Sequence, residues 1–193
     1  MSSPRLQVAL DFTILDRALR VAREAVDGGA DILEAGTPLI KSEGLDAIRR
    51  LKAEFPQIPV VADLKTMDAG RIEMEMAAKA GAKIAMVLGA ASDSTIKECV
   101  EVGKNYGLQI GVDMVRVEDV VTRARQVAEW GVDLVSIHCP IDDQMLGKDP
   151  FDTARRVAAE VDVPIAVAGG IHSETAAAAV AAGASIVIVG GAI

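Results

Sequence analysis

Six consecutive residues, Asp63-Leu64-Lys65-Thr66-Met67-Asp68, place two carboxylates and an ammonium at the end of the apolar run Pro59-Val60-Val61-Ala62. That run reads as a buried β-strand. Charges at the tip of a buried strand are costly unless they pair, bind a ligand or hold a metal. Taken alone, the hexapeptide reads equally well as an ion pair capping a strand. The rest of the chain repeats the arrangement, however. Apolar runs end in Asp11, Glu34, Asp113 and His138, and two more end in the glycine pairs Gly169-Gly170 and Gly190-Gly191.

These residue types suggest a chemistry. Several carboxylates brought together repel one another, and a divalent cation relieves the repulsion. Oxygen ligands suit Mg2+, and Glu34 and Asp63, at the ends of neighbouring strands, are the natural ligand pair. A metal chelated by a hydroxyketone stabilises an enediolate as a Lewis acid. An imidazole such as that of His138 suits a proton carrier. A single Gly-Gly is usually only a turn, but two of them at the last two strand ends leave backbone N–H groups free to bind a phosphate at Gly170, Gly190 and Gly191. His172, after Gly169-Gly170-Ile171, reads as a solvated loop residue.

The elements that position these residues are marked by a glycine repeat. Gly29, Gly81, Gly131 and Gly183 each end a helical pattern and precede the phrases Ala-Asp-Ile-Leu-Glu, Ala-Lys-Ile-Ala-Met, Val-Asp-Leu-Val-Ser and Ala-Ser-Ile-Val-Ile. Glycine there provides the left-handed C-cap that a tight turn into a strand requires. Four further strands are predicted at Leu6–Leu10, Pro59–Asp63, Gln109–Asp113 and Pro164–Ala168. Amphipathic helices are predicted over Ile14–Val26, Gly44–Phe55, Ala69–Ala80, Ser94–Tyr106, Val117–Trp130, Phe151–Val161 and Glu174–Ala182, with Ser92, Asp93 and Ser173 as N-caps. Strict alternation of strand and helix implies parallel strands with right-handed crossovers. Eight units with internal fourfold similarity favour a closed (β/α)8 TIM barrel, a single domain over residues 1–193, with active-site residues at the C-terminal ends of the strands. Ile193 follows the eighth strand directly, so the eighth helix is missing from this chain.

Composition narrows the function classes. The chain has 193 residues, 51% of them hydrophobic, and a net charge of −8, which argues against a nucleic-acid partner. Aromatic residues make up 3%, leaving few stacking platforms for single strands. Two cysteines, Cys99 and Cys139, form no disulfide framework, and Met1-Ser2-Ser3-Pro4-Arg5 shows no signal peptide, so a cytoplasmic protein is expected. The uncharged stretch Ala176–Ile193 is long enough to span a bilayer, but its change from Ala-rich to Ile-Val-Ile-Val at Gly183 reads as helix, stop and buried strand rather than a membrane segment.

Together, Val8-Ala9-Leu10-Asp11, Glu34-Ala35-Gly36-Thr37-Pro38-Leu39-Ile40-Lys41, Ala62 to Asp68 and Ala168-Gly169-Gly170-Ile171 resemble the orotidine-monophosphate-decarboxylase suprafamily of barrels. The resemblance covers essentially the whole chain. It is nearest to the branch of 3-hexulose-6-phosphate synthases and 3-keto-L-gulonate-6-phosphate decarboxylases. It implies Mg2+ held by Glu34 and Asp63, and Lys65 and Asp113 in contact with the substrate and its enediolate, with Asp11 and Thr37 nearby. It also implies a homodimer in which Asp68 reaches the partner's site. The two activities of this branch share a 1,2-enediolate and differ in what captures it. The decarboxylase pattern carries Glu at the strand-five end, an Arg shortly after the strand-six His, and Thr before the Gly-Gly. This chain has Asp113, Ile141 and Ala168 there, the synthase pattern, which implies a sugar phosphate and formaldehyde as substrates. The family usually places an Arg in the strand-eight phosphate loop, where this chain has Gly190-Gly191-Ala192. The sister decarboxylase, a metal-free orotidine-monophosphate decarboxylase and a non-catalytic sugar-phosphate-binding barrel are the competing readings.

Overall fold

The computed structural model describes residues 3–193. Eight parallel strands close into a barrel in the order β1 to β8. In chain order the elements are β1 (Arg5–Leu10), α1 (Leu15–Asp27), β2 (Ile32–Ala35), α2 (Thr37–Glu43), α3 (Asp46–Glu54), β3 (Val60–Thr66), α4 (Gly70–Ala80), β4 (Ile84–Leu88), α5 (Asp93–Tyr106), β5 (Gln109–Asp113), α6 (Val120–Glu129), β6 (Leu134–His138), α7 (Ile141–Gln144), α8 (Phe151–Ala158), β7 (Ile165–Ala168), α9 (Ala176–Ala181) and β8 (Ile186–Val189). The expected barrel is therefore the observed one. The uncharged C-terminal stretch is α9, a glycine stop and β8, and no helix among the described residues is long and apolar enough to cross a membrane.

Two apolar layers hold the barrel, and their division explains where the chemistry sits. Successive strand residues point to opposite faces. Leu33, Val60, Ala62, Val135 and Val167 face outward into the layer under the helices. Ile32, Val61, Ile84, Met86, Leu134, Ala166 and Ile186 fill the barrel interior. Two residues further along the same inner faces come Glu34, Asp63, Ser136 and Ala168. The period of two that buries the inner layer thus also aims these residues into the mouth of the barrel.

The four repeat glycines lie in the left-handed region, with φ of 95°, 98°, 88° and 100° at Gly29, Gly81, Gly131 and Gly183. Ser92 caps α5 by accepting a hydrogen bond from the Thr95 N–H at 3.2 Å, while Asp93 lies in that helix's first turn. Ser173 is not a cap: α9 begins later, after Thr175. The Thr175 hydroxyl instead closes the preceding turn, accepting from the His172 N–H at 2.9 Å and donating to the Gly170 carbonyl at 3.0 Å.

Three further elements differ from expectation. The segment 37–54 is two helices, because Gly44 at φ 65° breaks the path between them and Pro38 in the first turn of α2 favours a helix start. A short helix, α7, follows β6 where the sequence suggested only a loop. Strand β3 continues past Asp63 to Thr66 through a shift of register between Ala62 and Thr66. Lys65 lies within this irregularity at φ 48°, a left-handed conformation that costs about 1–3 kcal/mol for a residue with a side chain.

Candidate active site

The strand ends surround a cavity of about 990 Å³. Its lining includes Asp11, Glu34, Thr37, Asp63, Lys65, Asp113, His138, Ala168, Gly170, Gly190 and Gly191. The structure therefore brings together every site residue expected from the sequence except Asp68. That residue is exposed beyond β3, outside this lining, and its Oδ1 accepts from the Ala69 N–H at 2.7 Å.

Lys65 organises the centre. Its Nζ lies 2.8 Å from Asp113 Oδ2 and 3.1 Å from Asp63 Oδ2. Burial works against the ammonium, but the charges of Asp113 and Asp63 more than offset it and hold the pKa of Lys65 above its ordinary value. These two ion pairs also oppose the strain of the left-handed backbone at Lys65. The Thr37 Oγ1, at the start of α2, lies 2.7 Å from Asp63 Oδ2 and 2.8 Å from the Asp63 carbonyl, which fixes the carboxylate from the other side.

Asp113 is 3% exposed yet ionised. Burial raises its pKa, but the hydrogen bond from His138 and the charge of Lys65 bring it down to about 2. His138 Nδ1 stands 3.3 Å from Asp113 Oδ2, and the Val115 N–H donates to Oδ1 at 2.9 Å. An Nδ1–H donated to this carboxylate leaves Nε2 as the unprotonated nitrogen of a neutral ring.

The opposite side of the mouth is crowded with carboxyl groups. Glu34 has its pKa pushed up to about 8, first by burial and then by Asp63 and Asp11. The Gln7 Nε2 donates to Glu34 Oε2. Burial, and after it the charge of Asp63, also raise the pKa of Asp11. Asp11 is wedged between two backbones: a Cβ added to Gly36 would lie 2.1 Å from Asp11 Oδ1, and one added to Gly190 would lie 3.2 Å from Oδ2. No side chain other than hydrogen fits at Gly36 unless Asp11 moves.

Among the described residues, no group of three or more His, Cys, Asp or Glu side chains is disposed to hold a metal. Glu34 and Asp63 nevertheless fit Mg2+ by donor type and by mutual repulsion, since this ion is commonly held by one or two carboxylates, with water and substrate oxygens completing its shell.

The far rim is built from backbone. Gly169 and Gly170 have φ of 98° and 70°. A Cβ at Gly169 would lie 2.2 Å from the Cys139 carbonyl, so β6 and β7 approach here as only glycine permits. Among the described residues, no intramolecular acceptor takes the N–H groups of Gly170, Gly191 or Ala192. His172 is half-buried in the cavity lining, which corrects its reading as a solvated loop residue; the Thr175 turn draws it inward. Gln7, Ser136 and Gln144 also line the cavity and were missed from the sequence. Counting back in twos from Asp11 and His138 would have found Gln7 and Ser136.

The family model described as Orotidine 5'-phosphate decarboxylase / HUMPS family matches residues 4–193. The chain belongs to this family. It is 41% identical to the 3-hexulose-6-phosphate synthase of Bacillus subtilis (strain 168), an alignment covering 97% of this chain and 90% of that one. The crystal structure of 3-hexulose-6-phosphate synthase from Salmonella typhimurium superposes with a TM-score of 0.94 at 38% identity, covering 98% of this chain and 90% of that one. The structure of KGPDC from Streptococcus mutans in complex with D-R5P superposes with a TM-score of 0.88 at 25% identity, covering 97% and 88% of the two chains.

The pKa of Glu34 carries a stability signature. Its folded value lies above the ordinary 4.5, so its stabilising contribution is complete below pH 4.5 and is lost as pH rises through about 8. Metal-free protein is therefore expected to lose stability over this range, and Glu34→Gln to remove most of the loss. Urea denaturation in chelator at pH 5 and pH 8 measures it. Identical pH dependence in both proteins would assign the loss to another group.

Proposed function

We propose that this protein is a 3-hexulose-6-phosphate synthase, an aldehyde-lyase that condenses formaldehyde with D-ribulose 5-phosphate and cleaves the product in reverse. The single observation that carries the choice within the family is the set of residues at the ends of β5 and β7 and just after β6. Asp113 ends β5, Ala168 ends β7 beside the glycine pair, and Ile141 opens α7 at the cavity rim. All three follow the synthase pattern, and the similarity to named synthases over nearly the whole chain points the same way. Ile141 is 66% exposed, so it shapes the mouth rather than the interior, and it places no cation there to hold a proton-donating water.

The phosphate of the sugar rests on the free N–H groups of Gly170, Gly191 and Ala192, as an anion does in a backbone nest. This places its C1–C2 end against Glu34, Asp63 and Lys65. Glu34 and Asp63 hold Mg2+, which when bound supplies Lewis-acid stabilisation of negative charge on the substrate oxygens. Lys65 adds a buried positive charge beside them, already oriented before substrate arrives. His138 Nε2 removes a proton from C1, while ionised Asp113 stabilises the imidazolium that results. Thr37 keeps Asp63 in position, and Asp11 faces the substrate between Gly36 and Gly190. Asp68, exposed in one chain, reaches the site of a second copy in a homodimer. The enzyme works in the cytoplasm, consistent with its two free cysteines.

Comparison of kcat/KM for two reactions tests the reading. Condensation of formaldehyde with ribulose 5-phosphate is expected to exceed decarboxylation of 3-keto-L-gulonate 6-phosphate, and to stop on chelation. Combining Ile141→Arg, Asp113→Glu and Ala168→Thr is expected to shift the ratio at least tenfold towards decarboxylation, about 1.4 kcal/mol of differential transition-state binding. An unmodified protein that is the better decarboxylase would refute the assignment. The shared site has its own test. Asp68→Ala and His138→Ala, each inactive alone, are expected to recover part of the activity when mixed, because hybrid dimers contain one intact site. Demonstrated hybrids with no recovery would contradict it.

A further inference from the structure

The inner face of β6 carries three residues into the barrel: Leu134, Ser136 and His138. Leu134 belongs to the apolar floor and His138 to the charged centre. Ser136, between them, has no role in the chemistry described so far. It is 3% exposed and lines the cavity. Its hydroxyl makes no side-chain hydrogen bond, whereas no fully enclosed side-chain N or O among the described residues lacks a partner. The hydroxyl of this buried residue therefore faces the cavity, with no side chain of the protein as its partner, and is available to a ligand bound there.

Its neighbours define what that ligand is. Ser136 pairs in register with Asp113 on one side and Ala166 on the other, and His138 pairs with Ala168. Adjacent strands lie about 4.8 Å apart, and alternate residues of one strand share a face. Ser136 thus sits one layer below His138, beside an ionised carboxylate and two methyl side chains. Ala166, Ala168, Leu134 and Ile188 form an apolar recess there. A small molecule with one acceptor oxygen and no side chain fits both the space and the single donor.

We propose that Ser136 binds the carbonyl oxygen of the one-carbon aldehyde and so adds to the preference for aldehyde over proton as the electrophile. The proposal rests on the synthase reading. The balance of the step follows from the positions on β6. C1 of the enediolate bonds to the carbonyl carbon, and the C=O π pair moves onto the oxygen. That oxygen takes the proton His138 removed from C1, so no proton is gained or lost overall. Ser136 keeps its own proton throughout and donates a hydrogen bond to the oxygen as charge develops, orienting it towards the imidazolium of the same strand.

The test compares two half-reactions in the whole protein with Mg2+. One is exchange of the C1 hydrogen of ribulose 5-phosphate with deuterated solvent, which needs no aldehyde. The other is condensation with formaldehyde. For Ser136→Ala, the ratio of condensation kcat/KM for formaldehyde to the exchange rate is expected to fall at least tenfold, with KM for ribulose 5-phosphate changed less than twofold. Ser136→Thr, which keeps the hydroxyl, is expected to restore most of the ratio, and Ser136→Cys, a weak donor of similar size, to lie between. An unchanged ratio, or loss of both half-reactions in proportion, would overturn the role of Ser136. Wild-type protein that exchanges C1 hydrogen but never condenses formaldehyde would overturn the synthase reading itself, a distinct result.

Discussion

The Lys65 ammonium is the interaction on which the rest of the site depends. Five carboxylates come to one end of this chain's strands, and Asp11, Glu34, Asp63 and Asp113 share one cavity. Without a positive charge among them, burial and mutual repulsion would drive them towards protonation, as Glu34 already shows. Lys65 divides the group. The two carboxylates it touches, Asp63 and Asp113, are tied to it within 3.1 Å, and Asp113 is held ionised. Glu34 and Asp11, which it does not touch, have their pKa values raised by burial and by the charge of Asp63, so repulsion on that side of the mouth stays unrelieved. The left-handed backbone at Lys65 is the local cost of setting the ammonium between β3 and β5.

The barrel accomplishes this by alternation alone. Inner-face residues change along β2, β3 and β6 from large aliphatic at the base to polar towards the top: Ile32 to Glu34, Val61 to Asp63, Leu134 to Ser136 and His138. The lower layer is apolar and closes the floor; the upper layer is polar and open. β7 and β8 lead into small residues rather than polar ones, Ala168 and the glycine pair after it, and Gly190-Gly191, so backbone rather than side chains lines the cavity there. A charged wall and a backbone wall face each other across the cavity. On the proposed reading, this asymmetry orients a molecule with a phosphate at one end and a hydroxyketone at the other.

Much of this was legible in the sequence, for physical reasons that also explain what was not. Asp11, Glu34, Asp113 and His138 stand out because each interrupts or ends an apolar run, and the repeat glycines stand out because only glycine caps those helices with a left-handed turn. Gln7 and Ser136 were hidden because a parallel strand buried on both faces has no polar side against which to see alternation. The seven-residue α2 and the four-residue α7 were missed because helices so short carry little periodicity. The continuation of β3 through Lys65 was invisible since it depends on the ion pair with Asp113, 48 residues along the chain, and not on local propensity. His172 was misread because Thr175, which draws it in, acts through a turn that neither glycine nor proline announces.

The claim at the centre is that these residues stabilise an enediolate which formaldehyde captures. Carbon-13 NMR of the intact protein with Mg2+, [1-13C]ribulose 5-phosphate and 13C-formaldehyde tests it most directly. A new hydroxymethyl signal split by one-bond coupling to the former C1 of the sugar is the result the account predicts. Formaldehyde left unconsumed, with the same preparation releasing carbon dioxide from 3-keto-L-gulonate 6-phosphate, would contradict it.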